Sequence, residues 1–111
     1  ALLVSRRYRD SLFIINITEQ AYPLQDLILQ LGDVQLSATA FGVDTLLPGE
    51  CVWAHTHQAS LTQVFVPCNE TGQRVTLSVQ PEGASLLIHR GAASQLCNAP
   101  VCVAALNNPL P

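Results

Sequence analysis

The sequence predicts an all-β fold of small antiparallel sheets closed by two disulfides, and three observations support this. Apolar, β-branched residues occur in short runs that are separated by Gly, Pro, Asn and Asp. These runs recur roughly every 8–12 residues, which is typical of a sandwich or a barrel. Four cysteines occur in 111 residues, and no two of them have the C-x-x-C spacing of redox and zinc motifs.

The length and composition indicate one folded domain. A chain of 111 residues that is 49% hydrophobic and 12% charged has enough apolar surface to bury, so disorder is excluded. No apolar run approaches the roughly 20 residues that a membrane-crossing helix needs. We expect the domain to cover residues 1–106 and residues 107–111, which are rich in Asn and Pro, to form a tail or linker.

The first two elements are predicted as strands from Leu2 to Tyr8 and from Ser11 to Thr18, with a turn at Asp10–Ser11. The second of these strands is apolar on both faces, which favours a central position in a sheet.

The segment from Tyr22 to Leu31 fits two patterns, since its leucines follow helical spacing but also alternate near its end. Gly32–Asp33 is a turn signal, and residues 34–40 alternate cleanly after it. We therefore favour strands on both sides of this turn.

In the second half of the chain, Leu47-Pro48-Gly49-Glu50 has Pro and Gly in the order of a type II turn. Pro81–Gly83 is a second turn, and residues 67–72 form a predicted loop. The predicted strands are residues 51–57, 61–66, 75–79 and 85–90, with residues 95–97 as a hairpin partner of the last.

Five segments occur in a characteristic order: V-x-x-R-Y, D-S-L-x-x-x-N, P-L-x-x-L-x-L, a short strand ending in F-G-V, and L-x-P-G-E-C, at residues 4–8, 10–16, 23–29, 41–43 and 46–51. Together they resemble the lamin-tail-like domains, which are small immunoglobulin-like β-sandwiches, especially those of bacterial extracytoplasmic proteins. The resemblance covers roughly residues 4–97 and implies an immunoglobulin-like β-sandwich with a binding or structural role. It implies no catalytic residues, and the cysteines depart from the nuclear lamins, whose tails are not disulfide-linked.

The four cysteines allow three disulfide pairings. We favour Cys51–Cys68, which brackets a strand, a turn and a strand, and Cys97–Cys102, which closes a tight loop. Such disulfides persist only in an oxidising milieu, so we expect an extracytoplasmic location: secreted, periplasmic or on the cell surface.

The histidines provide an alternative interpretation. His55 and His57 alternate on one predicted strand, so both imidazoles face the same side, and His89 is a candidate third ligand. This pattern fits a metal-binding or electron-transfer protein, whereas the simpler interpretation is a pair of surface histidines beside Trp53.

Catalysis is not expected. The chain has no G-x-S-x-G elbow and no glycine-rich phosphate loop, and its eight carboxylates are scattered through turns. We predict no enzyme activity and no cofactor. The net charge of −3 argues against nucleic acid.

The predicted role is that of an interaction or structural module in a cell-surface assembly or attached to a membrane protein. It binds a protein partner or a second copy of itself; a subunit of an extracellular filament is a further alternative. Aromatic and arginine residues are enriched in interface hot spots. The predicted partner surface is therefore formed by Arg7, Tyr8, Trp53, His55 and His57.

The sequence also contains two N-x-[ST] motifs. Asn69 lies in a predicted loop and is a glycan acceptor if the protein is eukaryotic, whereas Asn16 lies in a strand that the pattern predicts to be buried.

Overall fold

The computed structural model describes residues 2–5, 10–57 and 68–106. It confirms the all-β prediction, with two sheets packed face to face and a short two-stranded ribbon. Residues 6–9, the predicted strand 61–66 and the predicted tail 107–111 lie outside the described residues.

The first sheet has the strand order β12-β1-β2-β7-β8, and β9 also pairs with β7. Its strands are β1 (Leu2–Ser5), β2 (Ser11–Asn16), β7 (Glu50–Thr56), β8 (Asn69–Glu70), β9 (Val75–Leu77) and β12 (Val101–Ala104). The central position of β2 agrees with its burial on both faces.

The second sheet has the order β11-β10-β4-β5 and is antiparallel throughout. Its strands are β4 (Leu27–Leu31), β5 (Val34–Ser37), β10 (Leu86–Arg90) and β11 (Ala93–Leu96), and a ribbon joins β3 (Tyr22–Pro23) to β6 (Thr45–Leu46). The predicted turn at Gly32–Asp33 is confirmed. Gly32 has a φ of 61°, a left-handed conformation that glycine adopts without steric cost.

The core lies between the two sheets. Alternate residues of each inner strand point into it, as the period-2 pattern requires. Its fully buried members include Leu12, Ile14, Leu27, Leu29, Val52, Leu86 and Ile88. Burial of each such side chain contributes roughly 1.5–3 kcal/mol.

The turn at residues 47–50 is also confirmed. The N–H of Glu50 donates to the carbonyl of Leu47 over 2.9 Å, and Gly49 has a φ of 82°. The Glu50 carboxylate in turn accepts the N–H of Leu47 over 2.8 Å, which holds the turn from its other side.

Three local predictions are wrong. The strand predicted to continue to residue 40 ends at Ser37 and is followed by a 3₁₀ helix, η1 (Ala38–Phe41). This helix places Phe41 in the core with no exposure, where F-G-V was expected to end a strand. The predicted loop 67–72 contains β8, and β12 was not predicted as a strand.

The first sheet is not wholly antiparallel, because β8 and β9 run parallel to β7. A parallel pair needs a crossover of about a dozen residues. The chain between the end of β7 and the start of β8 provides that length.

Asn16 joins three parts of the chain at one end of the sandwich. Its side chain is buried, and its Nδ2 donates to the carbonyls of Gln20 and Leu46, each over 2.8 Å. Its Oδ1 accepts hydrogen bonds from the N–H and the hydroxyl of Thr18. Because both polar atoms are engaged, the Asn16 motif is closed to modification in the folded protein.

Arg90 is a buried charge that the sequence reasoning missed. It is 3% exposed at the end of β10, its guanidinium lies 4.6 Å from the centre of the Tyr22 ring, and it donates to the carbonyl of Pro23. Tyr22 itself donates to the carbonyl of Leu106 over 2.6 Å. These contacts connect the ribbon to the second sheet and to the end of the described chain.

Both predicted disulfides are confirmed. Cys51 and Cys68 have their Cα atoms 5.9 Å apart, and Cys97 and Cys102 have theirs 5.5 Å apart. The first disulfide joins β7 to the residue before β8, and the second joins the chain after β11 to β12.

Candidate interaction surface

Exposed apolar side chains lie on two edge strands that meet at one side of the sandwich, with Leu96 on the outer face of the second sheet and the valines of β12 on the outer face of the first. Leu96 at the end of β11 is 58% exposed, and Val101 and Val103 on β12 are 52% and 51% exposed. We call these three residues the apolar corner. Scattered apolar residues are ordinary on protein surfaces, but grouped ones mark contact sites.

The Cys97–Cys102 disulfide holds this corner together. It is a covalent link between the end of β11 in one sheet and β12 in the other. Cys97 is buried and Cys102 is half-buried, while the residues between them are exposed. The disulfide therefore ties the edges of the two sheets together at the apolar corner.

Charge is absent from the stretch of sequence that carries the corner. Residues 91–106 contain no Asp, Glu, Arg or His, whereas all eight carboxylates lie between residues 10 and 82. A charged partner would gain no ion pair from this stretch and would lose hydration. The corner is therefore suited to an uncharged, apolar partner surface.

Gln95 connects the two edge strands by hydrogen bonds. Its Nε2 donates to the carbonyl of Val103 over 2.8 Å, and its Oε1 accepts the N–H of Ala105 over 3.0 Å. The same Nε2 lies 3.9 and 3.8 Å from the sulfurs of Cys97 and Cys102.

A second cluster lies on the outer face of the first sheet and contains Trp53, Phe13, Ile15 and Cys51, with Cys68 packed against it. We call it the Trp53 cluster. The Phe13 and Trp53 rings are 5.1 Å apart, and all four members other than Cys68 are at most 6% exposed. The sheet is thus covered on its outer face here as well as on its core face.

Arg74 covers the indole of Trp53. Its guanidinium lies 4.1 Å from the ring centroid, within cation–π distance. Glu70 receives two hydrogen bonds from this guanidinium, at 2.8 and 3.0 Å. The hydrogen bond to Glu70 raises the pKa of Arg74 above its ordinary value, so the cation is maintained over the ring.

The structure brings together only part of the predicted partner surface. Trp53 is 2% exposed, so its indole is a packing element and not a surface contact, and its Nε1 has no hydrogen-bond partner among the described residues. His55 is half-buried with its ring edge-on to Trp53 at 5.7 Å, and His57 is exposed. Arg7 and Tyr8 lie outside the described residues, and the surface itself stays a prediction.

Two of the three histidines, His55 and His89, are engaged separately in different sheets. His55 Nδ1 lies 2.9 Å from the carbonyl of Thr56 in the first sheet, and His89 Nε2 lies 3.2 Å from Gln30 in the second. In residues 2–5, 10–57 and 68–106, no three His, Cys, Asp or Glu side chains form a group that could hold a metal ion.

An open cleft of about 230 Å³ lies beside the end of β7. It is lined by Thr56, His57, Leu77, Ser78, Val79 and Gln80.

Asn69, the predicted glycan acceptor, is exposed at the start of β8. Its backbone N–H donates to the carbonyl of Gly49, and its side chain is accessible. Its accessibility contrasts with the burial of Asn16, although both belong to the same motif type.

Comparison with protein-family models and with curated protein sequences gave no match. The part of the chain that the structure describes contains no helix with the length and apolar character needed to cross a membrane.

Proposed function

We propose that this chain is a non-catalytic, extracytoplasmic interaction module of a cell-surface or membrane-associated assembly. It binds an uncharged, apolar surface of a protein partner at the apolar corner. The observation that carries the proposal is the exposure of Leu96, Val101 and Val103 on two disulfide-linked edge strands within residues 91–106, a stretch of sequence without charged residues.

The size of the corner favours a small contact on a different protein. Three half-exposed side chains present a few hundred Å² at most, whereas a stable dimer buries about 800 Å² on each partner. A short apolar segment of a partner matches the corner better than the broad face of a second globular domain.

The extracytoplasmic location rests on the two disulfides. Cross-links of this kind are rare in cytosolic proteins because thiol reductants keep cysteines reduced there. The immunoglobulin-like assignment is supported by the resemblance to lamin-tail-like domains and by the packing of two largely antiparallel sheets.

The location is tested by intact mass under non-reducing conditions, before and after alkylation of freshly isolated native protein. We expect no alkylation. Four alkylatable thiols would contradict the location.

The binding surface is tested by placing a photo-crosslinking amino acid at Val101 in cells that make the protein naturally. The matched control is the same amino acid at Gln35, which is exposed on β5 at the other edge of the second sheet. We expect one discrete adduct from position 101 and none from position 35.

A further substitution, Val103→Lys, should remove that adduct because it places a charge beside Val101 on the same face of β12. Equal adducts from positions 101 and 35, or none from position 101, would contradict the proposal. An adduct of twice the mass of the chain would identify a second copy and would likewise contradict the proposed occupant.

A further inference from the structure

Among the described residues, one side chain from the other sheet, Gln95, binds the outer edge of β12. The Gln95 amide donates to Val103 O and accepts from Ala105 N, at 2.8 and 3.0 Å. A residue of a neighbouring parallel strand would bond to two alternate residues in the same way. The side chain thus takes the place of an adjoining strand.

The pairing of β12 with β1 shows which backbone groups face this edge. The two strands are antiparallel, with Val103 opposite Leu3 and Val101 opposite Ser5. In an antiparallel pair, alternate residues direct both their N–H and C=O away from the partner strand. Because Val103 O and Ala105 N bind Gln95, the outward residues are Val101, Val103 and Ala105.

These outward residues would be complementary to the same residues of a second copy. Antiparallel pairing about Val103 would place Val103 opposite Val103, and Val101 opposite Ala105, so that every outward group meets another. Natural edge strands prevent such pairing with Lys, Pro or inward-pointing charges. Residues 101–105 contain none of these.

We infer that Gln95 caps the outer edge of β12 against pairing with β12 of a second copy. The pairing described above needs Val103 O and Ala105 N of both copies, and these are the two atoms that Gln95 occupies. This inference concerns backbone groups and does not depend on the partner proposed for the side chains of the apolar corner.

The test compares wild-type protein with Gln95→Met, which keeps a side chain of similar volume but removes both hydrogen bonds. Gln35→Met is the matched control, because Gln35 is an exposed glutamine on β5, the other edge strand of the same sheet. Sedimentation velocity at rising protein concentration measures the dissociation constant of the dimer. We expect Gln95→Met to dimerise at least about tenfold more tightly than the other two.

A double variant, Gln95→Met with Val103→Pro, identifies the edge involved. The N–H of Val103 faces away from β1, so proline at this position keeps the β1–β12 pairing but blocks a second copy. We expect this variant to be monomeric. The inference is overturned if the Gln95→Met protein has the circular dichroism of wild type and is equally monomeric. It is also overturned if the double variant with Val103→Pro still forms the dimer of the Gln95→Met protein.

Hydrogen exchange of the wild-type monomer provides a readout that does not depend on the folding of the variants. We expect the amide of Ala105, which Gln95 binds, to exchange more slowly than the amide of Val103. Equally fast exchange of the two amides would also overturn the inference.

Discussion

The Trp53 cluster and the two valines of the apolar corner, Val101 and Val103, lie on the same outer face of the first sheet, yet their exposure differs sharply. Phe13 on β2 pairs with Trp53 on β7. On its other side Phe13 pairs with Ser5 on β1, and Ser5 in turn pairs with Val101 on β12. Along this row the exposed fraction changes from 2% at Trp53 to 52% at Val101.

The difference arises from what lies over each end of the row. At the Trp53 end, Cys68 packs against the cluster, and Arg74 lies over the indole while bonded to Glu70. At the Val101 end, the loop closed by Cys97–Cys102 is exposed, and Gln95 covers backbone atoms instead of the valine side chains. Two apolar regions of one sheet therefore serve packing in one case and remain available for contact in the other.

The largest loss in the free energy of unfolding is expected from truncating Trp53, the buried residue of this row. Trp53→Ala should lower the free energy of unfolding by about 3–5 kcal/mol, because it leaves a cavity between Phe13 and Arg74. Val101→Ala should change it by less than about 0.5 kcal/mol, since Val101 is half-exposed. Urea unfolding measures both, and an equal loss in the two variants would show that the comparison is wrong.

The two disulfides should contribute different amounts to the free energy of unfolding, and both contributions should be smaller than or similar to the effect of Trp53→Ala. Replacing Cys51 and Cys68 by alanine opens a loop whose ends are 17 residues apart in the sequence. Replacing Cys97 and Cys102 opens a loop whose ends are 5 residues apart. Loop-closure entropy then predicts losses of about 3 and about 2 kcal/mol, respectively. Urea unfolding without reductant measures both variants, and a larger loss from the Cys97–Cys102 pair would indicate that the corner contributes more than loop closure.

The smallest effect is expected from the side chain that covers Trp53. Arg74→Gln should cost less than about 1 kcal/mol, because the ion pair with Glu70 is largely exposed. Since the pKa of Arg74 is raised, the stabilisation by its charge is complete below its unfolded-state pKa and is lost only in strong alkali.

Salt provides the control for this prediction. The difference between wild type and Arg74→Gln should shrink as ionic strength rises, and Glu70→Gln should reproduce part of it. A loss that does not depend on salt would assign the effect of Arg74 to packing of its stem on the indole.

Several parts of the molecule could be predicted because their determinants are close together in the sequence. Gly32 and Gly49 produce turns through their own φ angles, and alternation of apolar residues marks β4 and β5. The disulfide pairing follows from which cysteines flank a strand pair or a tight loop. The burial of Asn16 was predicted from its strand, and the structure adds the hydrogen bonds that explain it.

The apolar corner was missed because β12 is a short V-C-V-A segment that follows Asn-Ala-Pro, which is typical of a loop. Its strand character comes from pairing with β1, almost a full chain length away. The burial of Trp53 was missed for a related reason, since Glu70 and Arg74 approach it only after β8 and β9 align in parallel with β7.

The sequence by itself determined the all-β class, the main turns and the two cross-links, since each depends on backbone preferences or on the spacing of a few residues. Only the tertiary structure decided the order of the strands, the parallel pairing beside β7 and the exposure of each apolar side chain. Exposure depends on which distant segment lies over a residue, and neighbouring residues in the chain carry no information about that.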